Sequence, residues 1–470
     1  MREMPLAQSP LNEGAFYPNP QCRRCDAAVL RDIQDFRSLE EEWDDLYKGC
    51  PSATPFSSWA WLYSWWEVYG GGYDLRLIAL RDQGGLLVGL MPLMVSRPPS
   101  FGRLLLIGGD KMTLYSDVMT PYKDVLIREG WEEEVAKAGA QALEKVGGWR
   151  VADLQELMPD SAAWDIFRHW DGPKASVPIT DYLLMEARPW EGLLPSLSRR
   201  LRKTARRTLR QAERDGVSCQ PAGEHEAEGA ALTLVELHRG LWRGRRIDPE
   251  DLTPRYEAFV RAAARRTTAR GIGRISEFRR QADGKVLVSQ FLLFDKGFVG
   301  VYVTGASEEA SGRYQLETLS NWDAIETARI GSGKYVSFMD GVTRDKLRWA
   351  SEVVTSQRAI LGRSKAAWVP YAGCHLLRDR YYALRSVAQV YVHSEYAPRW
   401  VKKAIEGYHA LVLYPYSEGT PRWVWCVTER YYALRARYGY GRLRYQYESV
   451  RARRTMQRWT HPIQALRKKR

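Results

Sequence analysis

No stretch of this chain reaches the roughly 18 uninterrupted apolar residues that a membrane-spanning helix needs. The nearest, Leu86 to Val95, is broken by Gly89 and Pro92 and reads as a buried strand. Behind Arg2 and Glu3 there is no apolar core of a secretory signal, so the cytoplasm is the expected compartment. Cysteine is scarce, six scattered among 470 residues, which argues against a disulfide framework and fits a reducing environment. Cys22 and Cys25 form one CxxC, but the nearest further cysteine is Cys50 and Cys374-His375 stands alone. A zinc site needs about four ligands, so no metal is expected.

Charge is plentiful but uneven. The net charge is +14; residues 366–470 hold 20 Lys+Arg against 6 Asp+Glu, leaving 50 against 50 for residues 1–365. A neutral body fits an enzyme of small molecules, whereas the basic tail fits a polyanion such as RNA or an anionic membrane surface. The tail also carries 14 of the 26 tyrosines and repeats RYYALR at Arg380–Arg385 and Arg430–Arg435. Such Arg and Tyr mixtures suit stacking-plus-charge surfaces or peripheral contact with the inner membrane face. Within the body one segment is strongly basic: Ser196 to Arg214 has eight basic residues and one acidic. It predicts a helix with either a solvated face or an anion-binding ridge.

At 470 residues, two to four domains are expected. The pattern predicts a helix over Phe56 to Gly70, capped by Ser57 or Ser58, then strands at Leu75–Leu80, Leu86–Val95 and Leu104–Ile107. A helix at Trp131–Lys145 and a strand near Val151–Leu154 follow. The order then recurs: helices at Ser198–Glu213, Ala231–Trp242 and Pro254–Arg266, strands at Arg274–Phe278, Val286–Phe294 and Phe298–Val303, and a helix at Tyr314–Ile330. LIALRDQGGLLVGLMPLMV and ISEFRRQADGKVLVSQFLLF share one plan, strand, turn and long apolar strand, which suggests a duplicated α/β unit. The division read from these patterns is a flexible leader (1–28), an N-terminal half (29–175), a C-terminal half (176–365) and a basic, partly helical, aromatic-rich extension (366–470).

The most informative stretch runs from Thr304 to Trp349. A strand ends at Val303, Ser311-Gly312-Arg313 follow in a short loop, and a helix starts near Tyr314. Free N–H groups at such a start favour a phosphate, and Arg313 adds a fixed positive charge. The same pattern also describes a plain surface loop. His238, in LHRGLWRGRR, reads either as a base or as a partly exposed helical histidine.

Four stretches carry a family resemblance: TPFSSWAWLYSWWEVYG, LSRRLRKTARRTLRQAERDG, GASEEASGRYQLETLSNWDAIETARIGSG and VSFMDGVTRDKLRW. Their order resembles the FemAB-like branch of the GNAT superfamily, near the CelD/BcsL-type acyltransferases linked to cellulose and exopolysaccharide synthesis. The resemblance implies an α/β fold of tandem GNAT-like halves, each a mixed central sheet flanked by helices. It further implies transfer of an acyl group from acyl-CoA, such as acetyl-CoA, to an amine on a small-molecule or glycan-precursor acceptor. Carried over by position, Gly312, Arg313, Tyr314 and Gln315 would hold the donor's pyrophosphate. Lys346 would stabilise the developing oxyanion, Asp340 would take the amine's proton, and Tyr302 and Thr304 would face the substrate. Here Asp345 replaces the family's aromatic before the lysine, Val342-Thr343 its acidic pair, and Ser337 its acidic residue before the strand's phenylalanine. Two other readings stay open: an aminoacyl-tRNA-dependent Fem-type transferase, and a non-catalytic GNAT scaffold that binds a polyanion through its tail.

Overall fold

The computed structural model describes residues 24–97, 102–110, 118–242, 248–331 and 333–377. Most of the leader, all of the RYYALR repeat and the tail from 378 onward lie outside the described residues. In chain order the first half runs β1 (Cys25–Leu30), α1 (Ile33–Ser38), α2 (Glu40–Lys48), α3 (Trp59–Tyr69), β2 (Tyr73–Asp82), β3 (Leu87–Ser96), β4 (Arg103–Leu106), β5 (Leu126–Ile127), α4 (Glu132–Lys145), β6 (Val151–Leu157), α5 (Ala163–His169) and β7 (Lys174–Glu186). The second half runs α6 (Trp190–Leu193), α7 (Arg199–Arg214), β8 (Val217–Pro221), α8 (Ala227–Leu241), α9 (Pro254–Ala269), β9 (Gly273–Arg280), β10 (Val286–Asp295), β11 (Phe298–Ala306), α10 (Glu308–Arg313), α11 (Leu316–Ile330), β12 (Tyr335–Asp340), α12 (Arg344–Trp349) and β13 (Glu352–Gly362), followed among the described residues by helix α13 over 365–377.

Local chemistry sets many of the boundaries. Ser58 and Ser198 cap α3 and α7 by accepting the Trp61 and Leu201 N–H groups, and Thr253 caps α9 ahead of Pro254. The turn Asp295-Lys296-Gly297 closes the β10–β11 hairpin with Lys296 and Gly297 both at positive φ, as a two-residue hairpin loop requires.

One 13-stranded sheet runs through the molecule in the order β1-β2-β3-β4-β6-β13-β7-β12-β11-β10-β9-β8, with β5 beside β3. Read from either edge, it repeats the same plan. β4 and β6 pair in parallel, as do β11 and β12. α4 precedes β6 as α11 precedes β12. The sixth strands are exchanged: β7 follows β6 in the chain but lies beside β12, and β13 crosses to lie beside β6. These two pair with each other from Glu352↔Leu184 to Leu361↔Lys174, so the halves share one sheet. The sheet order therefore supports the duplication suggested by the sequence.

The expected boundaries shift accordingly. The 175/176 division falls inside β7, β1 starts before residue 29, and α13 straddles the start of the extension. α13 is docked, with Trp368, Tyr371 and Ala372 packed with Val151 and Ile360. Between the halves lies an aromatic core in which the Trp61 ring of α3 meets Phe259 at 5.1 Å and Tyr302 at 4.8 Å between centroids.

Candidate active site

β11 and β12 pair only from Phe298↔Tyr335 to Gly300↔Ser337. Past that point β11 continues along β10 to Ala306, while β12 bulges after Ser337 and rejoins β7 at Asp340↔Tyr182. Two parallel strands that part leave a fork where ladder hydrogen bonds end and an extended amide-bearing chain can take their place. The residue in the bulge, Met339, sits at φ 57. α11 starts beyond the open end of β11, on the side where the strands have parted, and runs back toward the paired start of β12; its N-cap residue, Gln315, makes no side-chain cap. The Gln315 N–H donates to Thr208 Oγ1 (3.4 Å), which brings α7 against the same helix start.

The residues expected to hold a pyrophosphate lie here, in an altered setting. Gly312 and Arg313 end α10 rather than forming a loop, and the following helix begins at Leu316, not at Tyr314. Gly305 is part of β11, which runs on to Ala306 rather than ending at Val303. Half-exposed Arg313 grips Asp215 with two nitrogens, Nε at 2.5 Å from Oδ2, and the Tyr314 hydroxyl donates to the same carboxylate at 2.6 Å. These bonds hold the Asp215 carboxyl well below the usual carboxylate range, while burial and Asp215 push the Tyr314 phenol up to about 12. Arg313 thus carries an internal counter-ion, the kind of partner that an anionic ligand would compete with. Gln315 accepts from Thr318 Oγ1 through its side chain (2.8 Å).

Lys346 lies in the first turn of α12, its N–H capped by Thr343 Oγ1 (3.3 Å). α12 adjoins the start of α11: burial raises the Glu317 carboxyl, and Asp345 of α12 raises it further while Arg348 opposes. Asp340 ends β12 just past the bulge. Tyr302 points into the aromatic core, its ring 6.2 Å from Phe56 and 6.0 Å from Phe291. The Thr304 carbonyl faces His238 Nδ1 at 2.9 Å, and the other ring nitrogen faces Asp251 at 3.2 Å. His238 is buried, not partly exposed, and both of its nitrogens are engaged, so it bridges α8 to β11 rather than standing as a free base.

A further network was not expected. Among the described residues four non-glycines have positive φ, and Tyr122, Glu156 and Met339 converge near the fork. The buried Glu156 carboxylate accepts from Thr180 Oγ1 (2.7 Å), the Tyr182 hydroxyl (2.6 Å) and Ser356 Oγ (3.0 Å). The Tyr122 ring lies 4.8 Å from Tyr182, and its hydroxyl donates to Ser337 Oγ (2.7 Å), where β11 and β12 part. Strained backbone of this kind persists only where the surroundings over-determine it, and it gathers at functional sites. The signal in the sequence was a carboxylate and two other polar residues inside the apolar strand VADLQEL.

The counterpart in the first half is filled. Between β4 and β6, buried Arg103 pairs with Asp110 at 2.5 Å, and Gln155 bonds Asp110 (3.0 Å) and Asp153 (2.8 Å). Arg358 of β13 pairs with Asp153 (3.0 Å) and reaches His375 of α13 at 2.6 Å, while the Tyr371 hydroxyl donates to Asp153 at 2.6 Å. Among the described residues no group of three or more His, Cys, Asp or Glu is arranged to hold a metal ion, and no helix is long and apolar enough to cross a membrane.

Residues 199–347, from α7 through α12, match the family described as Acetyltransferase (GNAT) domain. No curated protein matches. Solved structures similar to the chain include FemX (13% identity, 68% of this chain and 95% of that one, TM-score 0.47). Others are L-PGS from Bacillus licheniformis (10%, 75% and 96%, TM-score 0.42) and a tandem GNAT protein from the clavulanic acid biosynthesis pathway (12%, 72% and 98%, TM-score 0.35).

Proposed function

We propose, from the match of residues 199–347 to an acetyltransferase (GNAT) domain, that the chain transfers an acyl group from acyl-CoA to the amine of an amino sugar or of an envelope or exopolysaccharide precursor. The observation that carries this reading is the fork between β11 and β12 with the uncapped start of α11 beside it, all inside the matched segment. The helix start and Arg313 would hold the donor's phosphates, Arg313 exchanging Asp215 for the ligand. The extended arm of the donor would lie along the fork, with its thioester near the bulge at Ser337–Asp340. The acceptor nitrogen attacks the thioester carbonyl, Lys346 stabilises the oxygen as it gains charge, and the C–S bond breaks to release the thiol. Asp340 or Glu317 would take the amine's proton. Glu317 suits that role because burial has already moved its carboxyl toward neutral pH. Tyr302 and Thr304 would act through the wall they form with α3 and α8.

Calorimetry with acetyl-CoA and longer acyl-CoAs tests the reading. Micromolar binding that Arg313→Ala abolishes is expected. Absence of binding to any acyl-CoA, with binding to an aminoacyl-tRNA instead, would replace the donor.

A further inference from the structure

Among the described residues, surface arginines are usually paired. Arg81 meets Glu42, Arg128 meets Asp45, Arg261 meets Glu228, and Arg280 meets Asp283 and Glu309. α7 breaks the pattern. Its buried stripe is Leu201, Ala205, Thr208 and Ala212. Of the basic side chains it turns outward, Arg206 finds Glu191 and Arg214 finds Gln211. Arg199, Arg200, Arg202, Lys203, Arg207 and Arg210 have no side-chain hydrogen bond or ion pair among the described residues. Like charges three and four residues apart oppose helix formation, so a ridge of this kind is tolerated because the apolar stripe pins it down. Among the described residues nothing neutralises that charge, which leaves it for a further partner.

We propose that the outer face of α7 docks this protein on an anionic lipid surface. Sixteen residues make a rod of about 24 Å, and its exposed face is convex and lined with long flexible cations, a shape matched to a plane of headgroups. The helix contains no aromatic residue, so it lacks the stacking platform by which single-stranded nucleic acid is held. Leu201 of α7 shares a core cluster with Ala328 of α11 and Val336 of β12. In the segment joining those two, Ile330 is 83% exposed and Tyr335 is 40% exposed, with exposed Lys334 between them. An exposed aliphatic, a tyrosine and a cationic ridge are the components of an interfacial contact. The inference is independent of which acyl donor the fork accepts.

The test uses the full-length chain in flotation with vesicles of phosphatidylcholine alone or with about one-third phosphatidylglycerol. The quadruple variant Arg199→Gln, Arg200→Gln, Lys203→Gln, Arg207→Gln keeps the tail intact, and so isolates α7. We expect it to lose on the order of tenfold or more of the partitioning onto anionic vesicles, with Ile330→Ser losing less. The reversal Lys203→Glu, Arg207→Glu, checked by circular dichroism for retained helix, is expected to show the same loss. Unchanged partitioning in both α7 variants overturns the proposal. So does tighter binding to single-stranded RNA than to vesicles, if the same residues are responsible for it.

Discussion

The two halves of the sheet have the same plan and opposite interiors. Where β11 and β12 part, the second half keeps a fork bordered by a helix start without a side-chain N-cap and by the half-exposed Arg313–Asp215 pair. Where β4 and β6 meet, the first half has packed two arginines and two aspartates into the equivalent place and covered them with α13. The helix starts differ in the same sense. α4 opens with Glu132, Glu133 and Glu134, which satisfy its dipole and repel an anion, whereas α11 opens with the single Glu317. On the proposed function, a duplicated unit would offer one site for a ligand and one sealed support. The exchange of β7 and β13 makes the support part of the site, because β7 carries Tyr182 to the fork.

The comparison breaks most visibly through stability. Asp153→Ala or Arg358→Ala leaves an uncompensated charge in the sealed half and is expected to cost about 3–5 kcal/mol in urea unfolding. The joint replacement Asp153→Leu, Arg358→Met should recover most of that loss. Arg313→Ala, at the half-exposed pair of the second half, should leave the unfolding curve nearly unchanged while removing donor binding. Next in size, Glu156→Gln is expected to cost about 1–3 kcal/mol, because hydroxyls aimed at a buried carboxylate lose an acceptor. It should also lower turnover more than donor affinity if the network sets the shape of the fork.

The smallest effect sharpens the helix-start contrast. Burial raises the Glu317 carboxyl, so it loses its charge at a higher pH than an ordinary glutamate. Donor affinity should therefore rise as pH falls through that value. Glu317→Gln should give a several-fold gain at neutral pH and remove the pH dependence, read by calorimetry at two pH values.

Much of the repeated plan was legible because caps and periodicity are local. Ser58, Ser198 and Pro254 placed three helices within a few residues of where they begin. The middle of the sheet was not legible. β7 contains Pro178 and alternates irregularly, and β13 carries Arg358, which reads as a surface residue until Asp153 from another strand neutralises it. Strand exchange depends on pairings far apart in sequence, which no window reveals. For the candidate site, Gly312–Gln315 and Lys346 were singled out by the resemblance, and the structure brings α12, which carries Lys346, against the start of α11. The Arg313–Asp215 pair was hidden because Asp215 follows a helix almost a hundred residues earlier. Tyr122 and Met339 stand out only by backbone conformation, whereas Glu156 is also marked by the polar residues inside VADLQEL.

Hydrogen exchange of the full-length chain with and without acetyl-CoA tests the central claim, that the second half holds the donor and the first supports it. The account predicts new protection over 298–306 and 313–318, with residues 103–110 and 151–157 unchanged because they are already closed. Protection confined to the first half, or shared equally by the two, would contradict it.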